Sequence, residues 1–195
     1  MKTSTFTLLI LIALFAIKNP AEAQIQRGNA IIGGSIANLN LQLDDPNFFS
    51  VTLTPKAGWF VRDNTALGAY VNFGLTTATD NPTTINWGLG ALGRMYAGSD
   101  IEVLRHGRFF GEATVGVGGQ NVSDGGGSTN GLEFGFGPGF AYFITRNLAL
   151  ETLVKYNGVA GFGDEAYRSN LNLAFGFQIH LVGKDAAERI KRDTR

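Results

Sequence analysis

The chain has 195 residues, 16 Lys and Arg against 16 Asp and Glu, 27 glycines, no cysteine, and 44% hydrophobic and 11% aromatic content. Zero net charge argues against a nucleic-acid surface, and the apolar and aromatic content argues against disorder despite the glycine. The lack of cysteine excludes disulfides and thiolate metal sites.

Residues 1–23 read as a secretory signal peptide. Lys2 precedes an apolar run from Phe6 to Ile17, and Ala21-Glu22-Ala23 before Gln24 forms an A-x-A cleavage site. The run is shorter than the roughly 20 residues a membrane-spanning helix needs, and Lys18, Asn19 and Pro20 end it. The expected organisation is a signal peptide over 1–23, one domain over 24–183 and a charged tail over 184–195, either a short helix against a periplasmic partner or disordered.

From Gln24 onward, period-two alternation punctuated by turn residues predicts eight strands, approximately 29–43, 48–61, 65–77, 84–97, 108–121, 129–144, 148–161 and 169–182. Each supplies the roughly 9–11 residues that a tilted strand needs to cross hydrocarbon. In the second, Phe49, Val51, Leu53, Pro55, Ala57, Trp59 and Val61 oppose Ser50, Thr52, Thr54, Lys56, Gly58 and Phe60. In the third, Leu67, Ala69, Val71, Phe73 and Leu75 oppose small or polar residues from Ala66 to Thr76. The sixth sets Leu132, Phe134, Phe136, Pro138, Phe140, Tyr142 and Ile144 against Glu133, Phe143 and a run of glycines and alanine. In the eighth, six large apolar residues from Leu171 to Leu181 oppose Asn172, Ala174, Gly176, Gln178 and His180.

Six charges fall within these strand interiors, Lys56, Arg94, Glu112, Glu133, Glu151 and Lys155, and all lie on the small-residue face. A soluble barrel studs its outer face with charge, whereas a Lys or Arg facing lipid at mid-bilayer costs roughly 2–4 kcal/mol. The pattern therefore predicts an all-β, eight-stranded, antiparallel up-and-down transmembrane β-barrel, apolar outside and small or polar inside. Trp59, Tyr142 and Trp87 are its expected aromatic girdle.

Arg62-Asp63-Asn64 and Thr145-Arg146-Asn147 are predicted periplasmic turns, and Ala97 to Gly107 a long periplasmic link. Thr79 to Thr83, Asn121 to Asn130 and Gly163 to Ser169 are then external loops. Asp44, Asp45, Asp80, Asp124, Asp164 and Glu165 would make the external rim acidic, either merely solvated or holding divalent cations against lipopolysaccharide phosphates. The seventeen-residue strings from Pro55 and Pro138, 83 positions apart, align without gaps, by duplication or because hairpins of one barrel look alike.

Counting from the periplasmic edges places Lys56, Arg94, Glu112 and Glu151 in one lumen layer, with Arg94 and Glu112 on adjacent strands. Glu133 and Lys155 fall higher. Two readings stand: the charges pair into a plug of a lumen just wide enough for side chains, or they are separately solvated in a thin water channel. His106 falls in the periplasmic link and His180 near the periplasmic end of the last strand. The loop serines Ser123, Ser128 and Ser169 are thus a membrane thickness from either imidazole, which argues against a Ser-His catalytic pair. No spacing of His, Asp and Glu suggests a metal site.

The strings GWFVRDNTALGAYVNF and AYFITRNLALET, and ALGRMYAG followed by RFFGEATVGVG, resemble the outer-membrane β-barrel domain common in Bacteroidetes, related in architecture to the OmpA and OmpX barrels. The resemblance covers roughly 28–183 and implies a monomeric eight-stranded barrel. The chain departs from the usual aromatic C-terminus by continuing from Gly183 to Arg195, so a signal for the assembly machinery would be internal, at Phe175 to Leu181. The expectation is an exported outer-membrane protein with a structural or interaction role, no catalysis and no cofactor, whose partners are outer-membrane lipid, lipopolysaccharide and the assembly machinery. Alternatives are a narrow passive pore for small solutes or an adhesin, the latter disfavoured by loops of about ten residues or fewer.

Overall fold

The alternating segments become ladders in a computed structural model that describes residues 25–42, 47–79, 81–98, 106–123, 127–163 and 167–183. The signal peptide expected over 1–23, the acidic rim residues Asp44, Asp45, Asp80, Asp124, Asp164 and Glu165, and the tail 184–195 lie outside the described residues. Among those described, the chain forms β1 (Ala30–Gln42), β2 (Phe48–Arg62), β3 (Thr65–Ala78), β4 (Asn81–Tyr96), β5 (Gly107–Val122), β6 (Ser128–Phe143), β7 (Leu148–Gly163) and β8 (Tyr167–Leu181). Each strand pairs antiparallel with its sequence neighbour, and β1 pairs with β8 to close the barrel. Along the paired length of β1 and β8 closure removes the sheet edge, which matters where no water can satisfy an exposed N–H or C=O.

The strands reach further outward than alternation predicts. β4 starts at Asn81, β5 ends at Val122 and β6 starts at Ser128, so the links expected over Thr79–Thr83 and Asn121–Asn130 contract to 79–80 and 123–127. The cause is that Thr84, Gln120, Asn121, Ser128 and Thr129 pair through their backbones without the apolar alternation that marks a strand crossing hydrocarbon. At the opposite end, Asn64 takes a left-handed conformation (φ 61°) in the two-residue β2–β3 turn, which asparagine tolerates better than most residues.

The faces are inverted relative to a soluble protein. Leu53, Leu67, Val71, Leu89, Val115, Phe136, Leu171 and Phe175 are exposed, while Lys56, Arg94, Glu112, Glu133, Glu151 and Lys155 are buried. Such an outer wall is stable in hydrocarbon and unstable in water. Pro55 and Pro138 each pair with one neighbour, at Gly34 and Gly111, and interrupt the ladder to the other. A residue without an N–H has that effect. The two similar hairpins, β2–β3 and β6–β7, lie four strands apart in the ring and so form opposite walls.

Candidate functional site

The lumen is filled in three levels. At the end carrying the β2–β3 and β6–β7 turns, Phe60, Tyr96, Phe110, Phe143 and His180 converge from β2, β4, β5, β6 and β8. Their ring centroids stand 5.2 Å (Phe143 to His180), 5.6 Å (Tyr96 to Phe110) and 6.0 Å (Phe60 to Tyr96 and to His180) apart. Ile25, just before β1, joins this cluster, and its carbonyl accepts a 2.8 Å hydrogen bond from the Asn64 N–H across the mouth. The result is an aromatic floor.

On this floor stands a network of charges. Arg94 and Glu112 are directly opposed in the β4–β5 register, and are 2% and 3% exposed. Arg94 Nη2 and Nε donate to Glu112 Oε2 at 2.6 and 3.2 Å, and Nη1 donates to Glu151 Oε1 at 2.5 Å and to the Tyr96 hydroxyl at 3.1 Å. Lys56 Nζ reaches across from β2 and donates to both Glu112 oxygens at 3.0 Å. Lys155 enters higher on β7, yet its ammonium comes within 3.8 Å of Glu112 Oε1. The Arg94 guanidinium also lies 4.1 Å from the Phe110 ring centroid, joining the network to the floor. Glu112 is thus the hub on which three cations converge, and a buried charge is tolerable only with such partners.

Above the network a cavity of about 230 Å³ opens among the hydroxyls and amides of Ser50, Thr52, Thr54, Asn72, Asn86, Asn157 and Asn172. Its base is formed by Lys56, Tyr70, Glu112, Glu133 and Lys155. Among the described residues no ion pair joins Glu133 directly to the Glu112 hub. Its carboxylate fits where Gly88 and Gly118 leave room, since a Cβ on either would overlap it.

The remaining sequence candidates fall as follows. Trp59, 64% exposed, points outward near the β2–β3 turn, and Tyr142 lies on His106 at the same end. Trp87 points outward in the half of β4 nearer the β3–β4 link. His180 pairs with Ile31 at the floor, whereas Ser169 pairs with Gly158 far up the same strand. Eleven residues of strand separate them, roughly 36 Å at about 3.3 Å per residue, so they form no catalytic pair.

Sequence reading missed the aromatic floor and Arg108. Tyr96 shares the inward face of Arg94, and both Phe110 and Arg108 share that of Glu112. Large residues at the turn ends of a face otherwise built from Gly, Ala, Thr and Asn were the available signal. Arg108 is buried below the charge network, so among the described residues it adds a buried cation to the three against three read from the strand interiors.

A closed antiparallel barrel of eight strands with an apolar outer wall and a filled polar lumen defines the class of transmembrane β-barrels. No family model and no curated protein matches the chain. Among solved structures it is similar to Neisserial surface protein A (NspA), with 18% identity over 78% of this chain and 96% of that one and a TM-score of 0.54. It is also similar to Ail, the attachment invasion locus protein of Yersinia pestis, with 10% identity, 80% and 100% coverage and a TM-score of 0.51. The N-terminal β-barrel domain of Pseudomonas aeruginosa OprF matches at 16% identity, 80% and 98% coverage and a TM-score of 0.46. At these identities the likeness is one of fold.

Proposed function

We propose that this protein is a monomeric, non-catalytic outer-membrane barrel of structural or interaction role, its lumen closed to ions in the periplasmic half. One observation carries the proposal: the hub at Glu112, holding Lys56, Arg94 and Lys155, stands directly on five converging rings. Paired charges in a space just wide enough for side chains leave little room for hydrated ions. Residues 43–47, 79–80, 123–127 and 164–166 link the strands at the external end, a small area for specific recognition, which supports a structural role over adhesion. Outer-membrane lipid, lipopolysaccharide and the assembly machinery are the expected partners, and the strings quoted above support a barrel of the Bacteroidetes type.

Planar-bilayer recording tests closure. Wild-type protein should give no ohmic steps, and Phe60→Ala combined with Glu112→Ala should introduce them. An open pore in wild type that Glu112→Ala leaves unchanged would overturn the proposal.

A further inference from the structure

The seam that closes the barrel is its shortest. Among the described residues β1 and β8 are paired from Ala30↔Leu181 to Ala37↔Ala174, eight residue pairs, while each of the other seven seams has eleven to fifteen. Beyond that point Asn38–Gln42 of β1 and Tyr167–Leu173 of β8 remain in strands, each paired only on its other side.

The cause is local. Between Ala37↔Thr52 and Asn40↔Ser50 the β1–β2 register shifts, so Asn38 and Leu39 together face Val51. Asn38 adopts φ 52° and its side-chain amide donates to Thr52 Oγ1 at 3.3 Å. This is a β-bulge, which bends its strand and increases the local twist, and it turns β1 away from β8. It also shifts the alternation, leaving Leu39 and Leu41 exposed.

Eight pairs at about 3.3 Å per residue and a tilt of about 40° span roughly 20 Å of height, less than the roughly 25 Å apolar band of such a barrel. The open part of the seam therefore begins within the outer leaflet. Leu39 and Leu171, which flank it, are each 69% exposed, the highest values among the described large apolar side chains. Backbone groups facing hydrocarbon without partners are excluded from stable membrane proteins unless they border a polar cavity. Here they border one, because Ala37 and Asn38 on one lip and Asn172 and Ala174 on the other also line the cavity above the charge network.

We infer that this seam is a lateral portal, through which the polar head of a single-chain amphiphile reaches the cup while its alkyl chain stays between Leu39 and Leu171 in the outer leaflet. The cup walls offer hydroxyls and amides, its base carries Lys56 bonded to Glu112 together with Glu133 and Lys155, and Arg168 of β8 lines it as well, so charges of both signs face it. That favours a zwitterionic head over a net charge. An interior of eight strands has width for one such group. The inference rests on the seam and the cup, not on closure of the floor, so conductance and portal can fail independently.

The test uses the barrel in phosphatidylcholine nanodiscs and a lysophosphatidylcholine carrying a diazirine on the chain near its head, with adducts mapped by mass spectrometry. Saturable adducts should appear at Ala37, Asn172 and Ala174, and unlabelled lysophosphatidylcholine should compete for them. Glycerophosphocholine, the same head without a chain, should compete at least about a hundredfold less well. Deleting Asn38 removes the bulge and restores alternation. It should lower the lumen adducts about tenfold while adducts at the outward Val115 and Phe136 stay constant. Asn172→Trp, which fills the lip without altering register, should give the same loss. Lumen adducts unchanged in both variants, equal competition by glycerophosphocholine, or seam residues that crosslink to a second barrel would each overturn the portal.

Discussion

Replacing Glu112 by alanine should destabilise the barrel by about 3–5 kcal/mol, the usual consequence of stranding a buried charge by removing its partner. The geometry says which charge is stranded. Lys56 directs its ammonium at both Glu112 oxygens and is 5% exposed, so it loses its salt-bridge partner, and Lys155 loses its longer 3.8 Å pairing. Arg94 keeps Glu151 and the Tyr96 hydroxyl. Glu151→Ala, whose carboxylate pairs with Arg94 among the described residues, should therefore cost less, about 1–3 kcal/mol, because Arg94 retains Glu112. Removing Lys56 together with the hub should recover part of the loss, since an apolar replacement of a buried pair is often neutral. The double mutant Lys56→Met with Glu112→Leu should thus be more stable than Glu112→Ala. The assay is urea unfolding in lipid vesicles followed by tryptophan fluorescence. Both tryptophans of the chain, Trp59 and Trp87, face outward and move from lipid to water on unfolding. A cost below about 1 kcal/mol for Glu112→Ala would mean that water solvates Lys56 in place of the carboxylate, which would refute the paired network and restore the water-channel reading.

Val115→Arg, on the outer face at the middle of β5, should cost about 2–4 kcal/mol in the same titration; a cost near zero would put that face in water. Phe60→Ala removes a ring that touches both Tyr96 and His180 and should cost about 3–5 kcal/mol, and a negligible loss would show that the floor is not a packed layer. At Gly116 a Cβ would meet the Leu89 carbonyl of the neighbouring strand, which is backbone and cannot yield, so Gly116→Val should cost about 1–3 kcal/mol. Unboiled protein should migrate differently from boiled protein in a denaturing gel, and identical mobility would count against a closed barrel.

The portal shows where local pattern ends. The apolar phase changes between Ile36 and Leu39, three residues apart, but that this slip is a bulge with Asn38 and Leu39 facing one residue of β2 is visible only in the ladder. No property of the β1 sequence sets how far β8, more than a hundred residues later, follows it. The prolines are the contrary case, since the missing N–H at Pro55 and Pro138 announces an interrupted ladder from the residue type alone.

By itself the sequence determined the eight strands, which face of each meets lipid, and that Lys56, Arg94, Glu112, Glu133, Glu151 and Lys155 point inward. All of this follows from a period of two residues and from the energetic exclusion of charge from hydrocarbon, both local rules. Arg94 with Glu112 was legible too, because the two lie at similar depths counted from the periplasmic edges of adjacent antiparallel strands. Only the tertiary structure decided that Lys56 crosses from β2 to Glu112 on β5, that Arg94 on β4 also takes Glu151 on β7, and that five rings meet beneath them. Those contacts depend on the stagger with which the sheet closes, which sets the depth of every lumen side chain relative to the strands opposite. Closure is a property of all eight strands together, so no segment carries it.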